Sequence, residues 1–305
     1  MNAPAGSRTL AAPIAGPVVF DLDMPHGQIT VRVCDVERAD IELSTPAGAD
    51  SPAGQAIAEA TLTAETRVMT VRVPTPDGGT TIVSHTRGGR VVVSGNVHSG
   101  IIVTGGSMTI VNGQVISGGQ VISGANVTPG VRAEVRLPRG SALRVHTKTG
   151  DVTTSGELEW TQFTSSSGDL RVDACRKLAA SSTSGDVSAE YADHAEVRTV
   201  SGDIDLGRTE TVSADSTSGD ITLGDFGGAA RLLTISGDIT VRATEPGHVT
   251  AKSTSGDIRV SAPAALATAG GEHGLTVDAR SVSGDVRIPR PVTNPARPRH
   301  PRHRP

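Results

Sequence analysis

The chain has 305 residues, a formal net charge of −4, 36% hydrophobic residues and only 2% aromatic residues. No apolar run approaches the 18 residues of a membrane-spanning helix, and the 36 glycines follow no Gly-X-Y period, so stable membrane insertion and a collagen fold are both excluded. Two cysteines, Cys34 and Cys175, are too few for a disulfide framework, and we expect both thiols to be inert because neither has a CxxC partner or a nearby histidine.

The N-terminus lacks the pattern of a secretory signal. Pro4, Pro13 and Pro17 interrupt the stretch in which a signal would carry its apolar core. We therefore expect a flexible N-terminus over residues 1–16 and a cytoplasmic location, with association with the cell envelope as the alternative.

Residues 17–80 indicate an N-terminal β region. Apolar and polar side chains alternate in short runs such as Ile29–Val33, which is typical of strands that bury one face. For Ala53–Ala64 the propensities do not decide between a short helix and a strand.

A Gly-rich segment follows over residues 81–130. Its short valine and isoleucine runs end in Ser-Gly or Thr-Gly, as in Gln114–Gly118 and Gln120–Gly124. These runs favour tight β coils or hairpins, and low-complexity disorder is the alternative. The strand pattern of Arg132–Pro138 then leads into the next region.

A repeated phrase organises residues 131–290. Eight copies of Ser/Thr-Gly-Asp followed by an aliphatic residue have their glycines at Gly150, Gly168, Gly185, Gly202, Gly219, Gly237, Gly256 and Gly284. The steps between these glycines are 17 to 19 residues except for the last, which is 28 and implies an insertion around Pro263–Gly274. Such a period is the signature of a repeat architecture.

Each copy is surrounded by alternating side chains. The positions two and four residues after the glycine are apolar in fifteen of sixteen cases, and the position five residues before it is always apolar or small. The position three residues before it is always Ser or Thr. This period of two predicts two short strands per repeat, joined by a Ser-Gly-Asp turn and a looser second turn.

The repeats predict an all-β fold, a right-handed parallel β-helix or β-solenoid preceded by the N-terminal β region. One repeat cannot bury its apolar face alone, so the repeats must stack. We expect the glycine to supply a positive φ and the aspartate to accept a backbone N–H. A meander of antiparallel hairpins has the same spacing and ranks second.

Stacking would place the aspartates in a ladder. Two unit charges ~4.8 Å apart repel by about 1 kcal/mol in water and by about 3–4 kcal/mol at an effective dielectric constant of 20. Backbone N–H donors are the simpler means of relief. Calcium that bridges successive carboxylates is the alternative, but the Gly-Gly-x-Gly-x-Asp phrase of calcium β-rolls is absent.

The phrases Thr183–Val187, Thr217–Ile221 and Thr254–Ile258, together with Val135–Ser141, carry a resemblance. The chain resembles the putative-adhesin family of bacterial β-strand-repeat proteins (domain of unknown function 4097) from about Pro17 to Ile288. The resemblance implies a non-enzymatic β-solenoid, sometimes associated with the cell envelope, and implies no catalytic residues.

We therefore expect a structural or interaction protein and not an enzyme, with no catalytic, cofactor-binding or metal-ligating residues and no cofactor. A calcium-binding β-roll and a polysaccharide-active β-helix enzyme are the alternatives, although the latter would need aromatic platforms and Trp160 is the single tryptophan.

Phe163 occupies an inward position, and Trp160 is expected to be exposed or at a turn. We expect the pair His300/His303 in the tail to be solvated, and a loose transition-metal site is the less favoured alternative.

The expected partner is a protein or an envelope component. The tail, residues 291–305, together with Arg290 carries five arginines and no acid, so the rest of the chain has a net charge of −9. Such acidity argues against a nucleic-acid partner. The proline-rich tail predicts disorder. The N-terminal β region and the segment after Pro289 are the expected caps, and poor capping would allow end-to-end self-association.

Overall fold

The computed structural model describes residues 6–75, 108–111, 114–117, 120–122, 130–268 and 274–289. The chain divides into two compact units, residues 1–152 and 153–305. The predicted tail with His300/His303, and most of the Gly-rich segment, lie outside the described residues.

Two four-stranded sets of strands form the first unit. One set has the order β1 (Ser7–Ala11), β4 (Asp40–Ser44), β10 (Arg132–Pro138) and β3 (Gln28–Cys34), in which only the β10–β3 pair is parallel. The other has the order β5 (Thr61–Glu65), β6 (Val68–Arg72), β2 (Val19–Asp23) and β11 (Ala142–His146), in which only the β5–β6 pair is antiparallel. Alternate residues are buried, as the period of two predicts; examples are Phe20, Leu22, Ile41 and Leu43 at 0% exposure.

Strand β1 corrects the expectation of a flexible segment over residues 1–16, which is wrong for Ser7–Ala11. This strand pairs antiparallel with β4, and Ala12 after it is buried. No apolar alternation marks this strand, because Leu10 is its only large apolar residue. Backbone pairing, and not apolar alternation, holds this segment in place.

The segment Ala53–Ala64, for which the propensities do not decide between helix and strand, contains parts of both. Helix α1 (Pro52–Glu59) begins after Ser51, whose hydroxyl accepts the N–H of Gly54 at 3.0 Å, and Pro52 occupies the first turn. Ser before Pro is a favourable helix start because the cap satisfies a free N–H and proline presets φ. Strand β5 then begins at Thr61.

The Gly-rich segment contains three described strands. Strands β7 (Met108–Val111), β8 (Gln114–Ser117) and β9 (Gln120–Ile122) form an antiparallel sheet in that order. The hairpin interpretation agrees with this pairing. The runs at Val91–Gly95 and Ile101–Gly105 lie outside the described residues.

The second unit consists of stacked repeats. Its strands are β13 (Glu157–Thr164), β14 (Leu170–Ser181), β15 (Val187–Arg198), β16 (Ile204–Asp215), β17 (Ile221–Leu233), β18 (Ile239–Ser253), β19 (Ile258–Ser261), β20 (Leu275–Ser281) and β21 (Val286–Arg287). The short strand β12 (Asp151–Ser155) contains the boundary between the two units. Helix α2 (Ala264–Thr268) lies in the predicted insertion.

Each strand from β13 to β18 pairs in parallel with its equivalent in the next repeat, and β19 and β20 both pair with β18. Leu170, Val187, Ile204, Ile221 and Ile239 are successive register partners, so equivalent residues form columns. The antiparallel meander is wrong for β13–β21, since all of these pairs, and the β19–β21 pair, are parallel.

The start of the predicted repeat region, residues 131–152, lies in the first unit. Strand β10 pairs with β3 and β4, and residues 131–152 group with the first unit. The first phrase belongs there too, because the N–H of Asp151 donates to the carbonyl of Gly27 and not to another repeat. A Ser/Thr-Gly-Asp turn can therefore also form next to a segment that does not contain this phrase.

The glycine of the Ser-Gly-Asp turn has a different role from the predicted one. None of the eight phrase glycines has a positive φ, so that expectation is wrong. Instead, a Cβ on Gly202 would lie 2.0 Å from the carbonyl oxygen of Gly185 in the preceding repeat. The same overlap, at 1.8 to 2.1 Å, occurs at Gly185, Gly219, Gly237, Gly256 and Gly284. Glycine is required because the backbones of successive turns approach too closely for any side chain.

We expect Gly202→Ala to lower the free energy of unfolding by at least about 2 kcal/mol, because the added methyl group forces two stacked turns apart. Urea denaturation measures the change. Ser201→Ala is the matched control, since Ser201 is the exposed neighbour in the same turn and its loss should change stability by less than about 0.5 kcal/mol. Equal stabilities of the two variants would contradict the close-approach explanation.

Candidate interaction surface

The Ser-Gly-Asp turns are built around a Ser or Thr hydroxyl, which is buried in six of the eight copies. In all eight copies the N–H of the glycine donates to the Ser or Thr hydroxyl three residues earlier, at 2.7 to 3.1 Å. In β18, the hydroxyl of Ser253 also donates to the carbonyl of Gly237 in the preceding repeat at 3.2 Å. A buried N–H without a partner is costly, so this hydroxyl explains why the position is never apolar.

The aspartates form the predicted ladder, and backbone donors relieve it. The N–H of Asp203 donates to Oδ1 of Asp186 at 2.9 Å, and the N–H of Asp220 donates to Oδ1 of Asp203 at 2.9 Å. The same bond, at 2.7 to 3.0 Å, joins Asp169 to Asp186, Asp220 to Asp238, Asp238 to Asp257 and Asp257 to Asp285. Each of these carboxylates therefore helps to bind the next repeat, as the simpler hypothesis predicted.

The described ranges are residues 6–75, 108–111, 114–117, 120–122, 130–268 and 274–289. Within them, no group of three or more His, Cys, Asp or Glu side chains is arranged to hold a metal ion. The carboxylates of the ladder are further constrained at its end, where Arg259 lies 3.7 Å from Asp257 and Arg287 lies 3.6 Å from Asp285.

The outward side chains of the repeats form rows on an open sheet face. Trp160, Lys177, His194 and Thr211 are successive register partners on β13 to β16. A shallow depression of ≈ 450 Å³ on this face is lined by Trp160, Gln162, Lys177, His194, Glu196 and Ser213. It combines one large aromatic ring with cationic, anionic and amide groups at spacings fixed by the backbone ladder.

Trp160 lies within strand β13 and is half-buried. The expectation that it is exposed or at a turn is therefore wrong. Phe163, three residues later, is 1% exposed and occupies the inward position that the repeat pattern predicted. The two aromatic side chains of β13 therefore serve different faces: one fills the core and the other lines the depression.

The predicted second turn is absent from β14–β18, because each of these repeats has one continuous strand of 12 to 15 residues in place of two short ones. The middle of these strands carries charged pairs on its surface. Arg242 lies 2.6 Å from Asp225 and Arg208 lies 3.3 Å from Glu245. The hydroxyl of Tyr191 donates to Asp193 at 2.5 Å, and this hydrogen bond raises the pKa of Tyr191. Exposed pairs of this kind each contribute about 0–1 kcal/mol, so they do not determine how these strands stack.

The two cysteines differ in environment. Cys175 is buried in β14, and this burial raises the pKa of its thiol to about 12. Cys34 at the end of β3 is half-buried, and neither residue forms a disulfide. Only the thiolate is strongly nucleophilic, so the folded protein should keep Cys175 unreactive.

The family model described as Toastrack DUF4097 matches residues 63–300. The chain belongs to the Toastrack DUF4097 family. This finding confirms the resemblance drawn from the Ser-Gly-Asp phrases. No functionally curated protein matches the chain.

Solved structures give weaker likenesses. A putative adhesin from Bacteroides fragilis NCTC 9343 is 13% identical over 92% of this chain and 97% of its own, with a TM-score of 0.41. A putative lipid binding protein from Parabacteroides distasonis ATCC 8503 is 11% identical over 92% and 96%, with a TM-score of 0.46. A putative adhesin from Parabacteroides merdae ATCC 43184 is 10% identical over 94% and 96%, with a TM-score of 0.44. TM-scores below 0.5 support no statement about a ligand of this chain.

Sequence reasoning found the members of the turn but not all their roles. The Ser/Thr position was visible as a pattern, and its inward placement was a signal that a buried hydroxyl must have a hydrogen-bond partner. The depression around Trp160 carried no such signal, because it depends on which outward residues of four strands become neighbours.

We expect Thr199→Val to lower the free energy of unfolding by about 1–3 kcal/mol, because the isosteric side chain leaves the N–H of Gly202 without an acceptor. Thr199→Ser keeps the hydroxyl and should cost less. Thermal melting of both variants measures the difference. A valine variant as stable as the serine variant would contradict the role of the hydroxyl.

In contrast to the sequence-based expectation of two inert thiols, a thiol-reactive chromophore should label the half-buried Cys34 in the native protein and should label Cys175 only as the protein unfolds. The labelling of a Cys34→Ser variant should be negligible without denaturant and complete in concentrated urea. Rapid native labelling of that variant would show that the thiol is accessible, contrary to its burial.

Proposed function

We propose that the protein is a non-enzymatic interaction protein, a right-handed parallel β-helix that binds a protein or an envelope component through its outward polar faces. The observation that supports this most is the row of register-matched side chains around the depression at Trp160. Stacked repeats are rigid and create extended binding surfaces. The handedness follows the general rule for parallel crossover connections.

The depression is the proposed contact region because its residues come from four strands that the backbone ladder holds in fixed positions. Trp160 can supply apolar contact area at little conformational cost, and Lys177, His194 and Glu196 around it can supply charged or polar contacts. Aromatic residues dominate the energy of many interfaces. Trp160 is therefore the residue whose loss should weaken binding most.

The aspartate ladder supports a structural role over calcium binding or carboxylate catalysis. The Oδ1 atoms of Asp169, Asp186, Asp203, Asp220, Asp238 and Asp257 each accept a backbone N–H. These bonds give the repeated carboxylates a function in holding successive turns together, which a catalytic pair would not require.

The compartment we propose is the cytoplasm, with contact to the envelope as the alternative. Both thiols are free, which fits a reducing environment. Among the described residues no helix has the length and apolar character needed to cross a membrane.

Binding is tested with three probes: isolated peptidoglycan, vesicles of phosphatidylethanolamine and phosphatidylglycerol, and a glycan array. We expect the full chain to bind one of these probes, and Trp160→Ala to weaken that binding at least tenfold. Thr222→Ala on β17, an exposed change outside the depression, is the control and should bind as the unchanged protein does.

A photo-crosslinking amino acid at position 160 tests a protein partner in the native cell. Failure of all three probes together with no specific crosslink would contradict the proposal. Release of sugars from an acidic polysaccharide would instead indicate an enzyme, and a rise of the melting temperature in millimolar calcium would indicate a β-roll.

A further inference from the structure

The last repeat leaves the apolar interior open. In the preceding repeat the inward residues Ile258 and Val260 are 0% and 6% exposed. Their equivalents in the last repeat, Val286 and Ile288, are 40% and 46% exposed. These two positions are the exceptions to a pattern of burial that holds in every earlier repeat, so none of the residues that the structure describes covers this end of the stack.

The same repeat has a free strand edge. Strand β20 pairs along one edge with β18, in the register Val249 to Val277 and Ala251 to Ala279, and β21 pairs with β19. Across the described part of the chain, no strand pairs with the other edge of β20. A seven-residue strand with an open row of N–H and C=O groups is a template for another strand.

The chain's own C-terminal segment, which is one of the caps expected from the sequence, is by its composition a poor cover for this edge. Residues 290–305 contain Val292 and Ala296 as their aliphatic residues, beside five arginines and five prolines. Proline lacks the N–H that edge pairing requires, and arginine would have to lose its hydration next to Val286 and Ile288.

The charge pattern of β20 is self-complementary. Its outward face carries Asp278 and Arg280, two residues apart. If two copies of β20 pair antiparallel about Ala279, each Asp278 lies directly opposite Arg280 of the other copy. The inward face then places Val277 opposite Ser281, on the side where apolar cover is missing. Opposite charges directly across a strand pair are favourable, and like charges there are not.

We propose that a second copy of this chain docks on the open edge, so that two repeat stacks join end to end through antiparallel β20 strands. A two-fold interface uses the same surface on both copies and closes on itself. It therefore ends the exposed edge without creating a filament. This inference is independent of the proposed binding at Trp160, which lies on β13, so either can fail without the other.

Charge exchange tests the interface in the full chain. Sedimentation equilibrium at low ionic strength should show a dimer, and Asp278→Arg or Arg280→Asp alone should raise its dissociation constant at least tenfold, because like charges then face each other. The double variant Asp278→Arg/Arg280→Asp should restore the dimer. Arg231→Asp is the control, since Arg231 is exposed in the same column as Asp278 but two strands away from the edge.

Thermal melting establishes that the variants are folded, as expected for substitutions at side chains that are 46% and 75% exposed. Hydrogen exchange gives a second measurement: the amides of β20 should become more protected as protein concentration rises. A monomer at all concentrations, growth beyond a dimer, or a double variant that stays dissociated would each overturn the proposal.

Discussion

The repeat stack depends on how closely one glycine can approach the next. At the Ser-Gly-Asp turn, the carbonyl of one glycine occupies space that a Cβ in the following repeat would need. A Cβ on Gly202 would lie 2.0 Å from the carbonyl oxygen of Gly185, which leaves no alternative residue. That contact brings the aspartate N–H within reach of the preceding carboxylate and leaves the buried hydroxyl as the acceptor for the glycine N–H. Three residue types therefore recur together because each depends on the same short separation.

This arrangement explains how a column of like charges can be stable. The repulsion between successive carboxylates is opposed by one charge-assisted hydrogen bond per repeat, from the N–H of Asp220 to Asp203 for example. The hydrogen-bonded oxygen is fixed, so the whole column keeps one conformation. Regularity at the turn is what allows the outward rows on the adjoining strands to remain in register.

Much of the fold could be predicted from period and residue type. The alternation around each phrase identified strands, inward positions and stacking, and Phe163 was placed correctly because the pattern is local. The role of the glycine could not be predicted in this way, since positive φ and close approach both require glycine and only the neighbouring repeat distinguishes them. Strand β1 was missed because its place depends on hydrogen bonds to β4, which leave no apolar pattern in the sequence.

The candidate site was less predictable than the fold. The depression at Trp160 depends on neighbours 17 residues apart in sequence, such as Lys177 and His194, whose proximity follows only once the parallel register is known. The sequence did indicate that Trp160 was unusual, as the chain's single tryptophan, but nothing in the spacing alone showed which polar groups would surround it.

The long step between the last two phrases has an evolutionary consequence. Helix α2 lies between β19 and β20, yet the turns at Gly256 and Gly284 approach each other as the earlier turns do, since a Cβ on Gly284 would lie 2.1 Å from the carbonyl oxygen of Gly256. The loop opposite the Ser-Gly-Asp turn can therefore lengthen without disturbing the stack. New sequence could be grafted there, by natural insertion or by design, while the scaffold keeps its pitch.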